Sequence, residues 1–274
     1  MSTNEPATAP VIDPLARVED GAVIGEGAVI GPFCVIGPDA VIGPGCKLMS
    51  HVNVAGRTTL GARTTVYPFV SLGTAPQSLA YRGEPTTLEI GDDCTLREGV
   101  TMNVGTVGGG GVTRVGARGY FMNNAHVGHD CQVGNDVIFA TSATLGGHCH
   151  IGDQVFIGGL SAVHQFTRVG RQAMIGGVCG VRGDIIPFGL VNGQYAALEG
   201  LNIVGLRRRQ FSRERIRLMN AFYRSLFLGQ GVFSERLARA REQAGEDPAI
   251  AEILDFIDGG QNRSLCLPEI ASAK

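Results

Sequence analysis

Tryptophan is absent from this chain, aromatic residues make up only 6% of it and charged residues only 18%. Neither sign of charge dominates. The formal net charge of −2 excludes a strongly basic nucleic-acid binder on global charge. No run of about twenty apolar residues occurs, so no transmembrane helix is predicted. The stretch Met1 to Pro10 lacks the basic start and apolar core of a signal peptide. The cytoplasm is therefore the expected compartment, where the seven cysteines stay reduced. Glycine is what the chain has in abundance, 41 of 274 residues. These glycines lack the every-third spacing of collagen, and 44% hydrophobic residues argue against disorder.

The order behind this composition is a repeat of six. Stepping from Ile12 gives Val18, Ile24, Ile30, Ile36, Ile42, Leu48, Val54, Leu60, Val66 and Leu72, all aliphatic and often followed by Gly. The period lapses over residues 73–89, resumes at Ile90, Leu96 and Met102, and lapses again near 108–114. It then runs unbroken from Val115 to Val181. A period of six fits neither a helix nor simple alternation. It fits a hexapeptide parallel β-helix, in which three hexapeptides close one triangular coil of 18 residues. The aliphatic residue points inward, and the Gly after it is expected to permit turn conformations closed to other residues.

Cys34, Cys46, Cys94, Cys131, Cys149 and Cys179 each stand four residues after a repeat aliphatic. Ala22, Ala28, Ala40 and Thr64 hold the same slot elsewhere, so it is a place for small inward-facing side chains. Cys131 and Cys149 stack in adjacent coils, a separation that admits a disulfide which a reducing compartment disfavours. After Val181, Pro187, Gly189 and Gly193 mark a transition. Beyond it Ser212 is a candidate N-cap, and Ile216, Met219, Phe222, Tyr223, Leu226 and Phe227 form a helical stripe. Further helices are expected near 234–244 and 248–256. The predicted organisation is a β-prism over 11–190 with two inserted loops, then a helical subdomain over 191–274.

The 18-residue coil shows which histidines can meet. His129, Gly147 and Gln165 fall in one column, Asp130 and His148 are neighbours one coil apart, and His164 precedes Gln165. His126, His129, Asp130, His148, His164 and Gln165 therefore gather along one edge, while His150 and His51 stand apart. A His beside an Asp suits general-base work near neutral pH. The N–H of Gly147, one coil above His129, suits an oxyanion. No Ser or Cys pairs with His129, so attack by a substrate hydroxyl fits better than a covalent enzyme intermediate. Two other readings are a zinc-binding prism of carbonic-anhydrase type and a non-enzymatic trimeric scaffold.

The segments PFCVIGP at 32–38, YRGEPT at 81–86, GTVGGGG at 105–111, NAHVGHD at 124–130, AVHQF at 162–166 and GLRRRQFSRE at 205–214 resemble the UDP-N-acetylglucosamine O-acyltransferase family of lipid A biosynthesis. The resemblance spans nearly the whole chain. It implies an all-β left-handed parallel β-helix with a C-terminal α-helical subdomain, assembled as a homotrimer with sites between subunits. It implies transfer of a 3-hydroxyacyl chain from acyl carrier protein to the 3-position of the UDP-sugar nucleotide, the first step of lipid A biosynthesis. His129 would be the base, Asp130 its orienting partner and Gly147 the oxyanion donor. Gln77, His126, His148, His164, Gln165, Asn202, Arg208 and Arg209 would contact substrate, and Gly177 would leave a long acyl groove open. No metal or bound cofactor is implied, since the phosphopantetheine arrives on the carrier. Ser78, Ala80, Asn103, Val104 and Val204 depart from the family pattern. Those near the acceptor motivate an alternative in which a 3-amino sugar is acylated to an amide.

Overall fold

Most hexapeptides form a strand two residues long and then a corner, as at Val29–Ile30, Val35–Ile36 and Val41–Ile42. The structure, a computed structural model, describes residues 8–243, 245, 247–260 and 263–269. Every third strand stacks on the same face, which builds three sheets of 11, 9 and 8 strands. The first face starts at Val11–Ile12, the second at Arg17–Val18 and the third at Val23–Ile24. The fold is a left-handed parallel β-helix followed by helices. The two interruptions do not disturb the ladder. Thr65 pairs with Thr95 and Thr101 with His126, so both insertions are extruded from the prism. Both leave from the corner between the second and third faces.

The repeat aliphatics fill the prism. Ile36, Val66, Leu96, Val127, Leu145 and Ile157 are wholly buried, and the two phenylalanines in this slot, Phe121 and Phe139, stack with centroids 4.7 Å apart. The small slot has a polar task beyond packing. Cys34 Sγ donates to Met49 O at 2.9 Å, Cys46 Sγ to Gly61 O at 3.0 Å and Cys131 Sγ to Gly146 O at 3.1 Å. Ser161 Oγ does the same to Gly176 O at 2.7 Å. The corner bends these carbonyls out of the ladder, and a buried carbonyl needs a donor. Burial pushes the Cys94 thiol up to about 11, which keeps it a donor at neutral pH. All seven cysteines are free and buried.

Most glycines after the aliphatics are needed for a different reason from the one predicted, while Gly73 (φ 72°) takes the left-handed conformation. Gly25, Gly31, Gly37, Gly43 and Gly61 do not occupy the left-handed region. A Cβ on Gly31 would stand 2.4 Å from Met49 O, and one on Gly25 2.6 Å from Pro44 N. Close approach of the next coil selects Gly there. The left-handed residue comes two positions later and is usually not Gly, as at Phe33 (φ 60°), His148 (φ 61°) and Phe166 (φ 63°). That conformation turns the N–H back onto the preceding coil: His148 N donates to His129 O at 2.9 Å and Phe166 N to Gly147 O at 3.1 Å.

The expected boundary at 190/191 falls inside a strand. Gly189–Asn192 and Ala197–Leu201 form an antiparallel hairpin that extends the first face. Helices α1 (Ile203–Arg208), α2 (Arg213–Leu228), α3 (Phe233–Gln243) and α4 (Pro248–Asp258) follow. Helix α1 and the hairpin were not anticipated. Ser212 caps α2 as expected, accepting from Arg215 N at 3.1 Å. The predicted stripe is buried except Phe222, which is half-buried. Helix α4 is fixed to the prism by Arg171 on Glu252 at 2.6 Å and by Arg168 Nη2 on Phe256 O at 2.9 Å. No helix among the described residues is long and apolar enough to cross a membrane.

Candidate active site

The corner between the second and third faces carries both inserted loops and the expected dyad. His129 Nδ1 lies 2.6 Å from Asp130 Oδ2, and the Asp130 side chain is fully buried. Asp130 stands in the left-handed corner position (φ 61°). Because the coil beneath is interrupted by the second loop, its N–H donates to the Thr113 hydroxyl, at 2.8 Å, where other corners use a carbonyl. The carboxylate also accepts from Thr106 N at 2.7 Å through Oδ1 and from Thr106 Oγ1 at 2.7 Å through Oδ2. Both oxygens are thus acceptors of fixed donors. His129 must offer its Nδ1–H to Oδ2, which leaves Nε2 with the free lone pair a base requires.

Gly147 lies against the His129 ring as its column predicts. A Cβ there would meet ring atoms Cε1 and Nε2 at 2.6 and 2.7 Å. Gly147 is buried, and its N–H donates to no acceptor among the described residues. An unmatched N–H against the His129 ring is available to a developing negative charge there.

His148 Nε2 is 3.7 Å from Asp130 Oδ2, its ring is edge-on to His129 at 5.0 Å, and its other side stacks on Phe166 at 4.4 Å. His126 Nδ1 is 2.8 Å from Thr101 Oγ1. His164 and Gln165 lie on the same corner one coil beyond Gly147, exposed, and Gln77 is exposed on the first loop from that corner. Sequence reasoning missed Thr106, Phe166 and Arg263. Arg263 Nη2 donates to His164 Nδ1 at 2.7 Å and to Gln165 O at 3.0 Å. Phe166 was available from the 18-residue column through His148. Thr106 and Arg263 lie outside the repeat, where no register places them.

The other expected residues lie elsewhere on the same chain. Gly177 is on the corner between the first and second faces, in the column of Thr141 and Gly159, and is exposed. Asn202 and Arg209 are held at the remaining corner. Asn202 caps α1 by accepting from Gly205 N at 2.9 Å and donates to Gln172 O at 3.1 Å. Arg209 Nε donates to Gln154 Oε1 at 2.6 Å. Arg208 is exposed in the last turn of α1. One chain therefore does not bring these residues to His129. The donor atoms of His129, Asp130 and His148 lie within 4.8 Å of one another, a spacing open to a metal. The Asp130 carboxylate, however, already accepts three short hydrogen bonds, so it is a poor free ligand.

Burial pushes the imidazoles of His126 and His148 below the ordinary value of 6.5; the His129 ring adds to this at His126, and Asp130 opposes it at His148. The unfolded chain therefore binds more protons than the folded one as pH falls below 6.5. Stability is unaffected above that value and declines below it. Thermal melts between about pH 7.5 and 5.5 will show the midpoint falling on acidification, and His126→Gln will flatten that slope. An equal slope in the variant would remove His126 from the account.

The family described as "Udp N-acetylglucosamine O-acyltransferase; Domain 2" matches residues 184–266, and "Bacterial transferase hexapeptide (six repeats)" matches residues 9–38. The acyl-[acyl-carrier-protein]–UDP-N-acetylglucosamine O-acyltransferase of Azorhizobium caulinodans is 57% identical over 94% of this chain and 95% of its own length. That of Caulobacter vibrioides is 52% identical over 81% of this chain and 85% of its own. The solved UDP-N-acetylglucosamine acyltransferase of Campylobacter jejuni superposes with a TM-score of 0.88 at 34% identity, over 93% of this chain and 99% of that one. The one from Bacteroides fragilis superposes with a TM-score of 0.90 at 37% identity, over 93% and 99%.

Proposed function

Since the chain belongs to the acyl-[acyl-carrier-protein]–UDP-N-acetylglucosamine O-acyltransferase family, we propose that it moves a 3-hydroxyacyl chain from acyl carrier protein to the 3-hydroxyl of UDP-N-acetylglucosamine, opening lipid A biosynthesis. The observation that carries the mechanism is the His129–Asp130 pair beneath the unmatched N–H of Gly147. His129 Nε2 takes the acceptor proton as the sugar oxygen attacks the thioester carbon. The carbonyl oxygen becomes an oxyanion against Gly147 N–H. Collapse breaks the C–S bond, and His129 returns the proton to the departing thiol. The carrier brings its own phosphopantetheine, so the chemistry asks for no resident cofactor or metal.

The residues on α1 reach His129 only from another copy. We read the site as shared between subunits of a cytoplasmic homotrimer, in which Asn202, Arg208 and Arg209 of one copy face His126, His148, His164, Gln165 and Gln77 of the next. Gly177 would border the acyl groove. An amine acceptor has less support. The Asn103 amide that motivated it donates to Thr74 Oγ1 at 3.0 Å and to Ala75 O at 3.0 Å, so it ties its strand to the start of the first inserted loop. Incubation with 3-hydroxyacyl carrier protein and the UDP-sugar will give a product of the ester mass that mild base cleaves. A base-resistant product would overturn the hydroxyl reading.

The carrier meets the helices. Arg213 and Arg217 are exposed one turn apart on α2 and form no ion pair among the described residues, whereas Arg215 is bound to Asp247 at 2.9 Å. Acyl carrier proteins are acidic, and rim charges steer association. Reversing Arg213 and Arg217 to Glu will raise KM for the carrier thioester about tenfold and leave KM for the nucleotide sugar unchanged. Added salt will weaken the wild type more than the variant. An unchanged carrier KM would place the docking surface elsewhere.

A further inference from the structure

The second inserted loop reads by composition as a flexible glycine run. In the structure it is folded onto the catalytic carboxylate. Its single turn, Val107–Gly109, follows Thr106, whose N–H and hydroxyl each give a 2.7 Å hydrogen bond to Asp130, one to each oxygen. Gly109 comes closer still. A Cβ on it would stand 2.0 Å from Asp130 Cγ and 2.3 and 2.4 Å from the two oxygens. Gly110 and Gly111 supply the left-handed bends, φ 96° and 81°, that return the chain to the third face. The result is a carboxylate with no solvent exposure, held on one side by Thr106 and Gly109 and on the other by His129 Nδ1.

We propose that Thr106 and Gly109 form a clamp that positions Asp130, and through it His129, making Thr106 a positioning residue for acyl transfer. The inference rests on His129 being the base. A carboxylate with two staggered oxygens has several ways to accept from an imidazole. The Thr106 hydroxyl shares Oδ2 with His129, and the Thr106 N–H engages Oδ1, so the carboxylate plane is fixed before substrate arrives. The ring is then held between Asp130 and Gly147, with Nε2 next to the oxyanion donor. Gly109 lets the loop backbone close over the carboxylate, so no water competes with His129 for Oδ2. The clamp touches neither reacting atom. It acts on kcat through the orientation of the base, not on the binding of either substrate.

Thr106→Val keeps the backbone donor and removes the hydroxyl; Thr106→Ser keeps both. The valine variant is expected to lose about 10- to 100-fold in kcat, with KM for both substrates within about twofold of wild type. Serine is expected to restore at least half the rate, and the melting midpoint of both variants to stay close to wild type. In an Asp130→Ala background Thr106→Val is expected to cost nothing further, because the hydroxyl has lost the group it orients. Full activity in Thr106→Val, or a loss carried entirely by KM, overturns the clamp. An equal loss with and without Asp130 also overturns it. His129→Ala, assayed alongside, separates the two ideas: an inactive His129→Ala with an unaffected Thr106→Val removes the clamp and leaves the base standing. An active His129→Ala removes the base reading itself.

Discussion

Replacing His129 with alanine leaves a folded protein and lowers the rate of acyl transfer by about 10²–10⁴-fold, the usual loss when a general base is removed. The side chain is 16% exposed and hangs from a corner, outside the aliphatic ladder of the prism. Its backbone carbonyl, which accepts from His148 N at 2.9 Å, is untouched by the substitution. Thermal melts should therefore nearly coincide, and KM for the carrier thioester should change little. The stability side has one further term. Alanine leaves Asp130 Oδ2 short of one donor, but Thr106 Oγ1 still satisfies that oxygen, so the buried carboxylate is not orphaned. A variant that kept more than about a third of the wild-type rate would sink the assignment of the base.

The prism was legible because its repeat is a geometric statement. Eighteen residues per coil converts sequence separation into stacking, and this placed Asp130 beside His148 and Gly147 over His129 with no structural information. The same arithmetic put the cysteines inside. It failed where the period lapses. The two loops follow no register, so nothing in the sequence placed Thr106 on Asp130. Except at Gly73, whose φ is 72°, the glycine after the aliphatic was assigned the wrong cause. Its need is set by the coil that follows, as the 2.4 Å approach to Met49 O at Gly31 shows, and not by its own φ. Helix α2 came from a cap and a stripe, which are local signals. Helix α1 is a single short turn-pair capped by Asn202, and the segment 263–269 is irregular. Neither carries a periodic pattern, yet the latter returns Arg263 to His164 across 99 residues.

Substituting Gly147 with alanine should disable the enzyme without unfolding it. The backbone at 147 lies outside the left-handed region, so alanine introduces no conformational strain there. The added methyl would instead stand 2.6 Å from His129 Cε1, 2.7 Å from Nε2 and 3.1 Å from Nδ1, inside contact distance along one edge of the ring. The backbone cannot retreat easily, because Gly147 O accepts from Phe166 N at 3.1 Å and the strand Thr144–Leu145 is paired on both sides. The ring is the part that yields. Swinging it away breaks the 2.6 Å bond to Asp130 and carries Nε2 off the line between acceptor hydroxyl and oxyanion donor. A displacement of about 1 Å at a catalytic group costs on the order of 10²-fold, and loss of alignment with the Gly147 N–H adds to it. The expected result is a fall in kcat of at least about 10²-fold with a melting midpoint within a few degrees of wild type. Gly37→Ala is the matched control, since the nearest atom to its Cβ is Val54 O at 3.3 Å and no catalytic or substrate-binding side chain adjoins it. Equal losses in the two variants would mean that glycine at 147 serves the coil rather than the histidine. A large loss at 147 alone ties the missing Cβ to the position of His129.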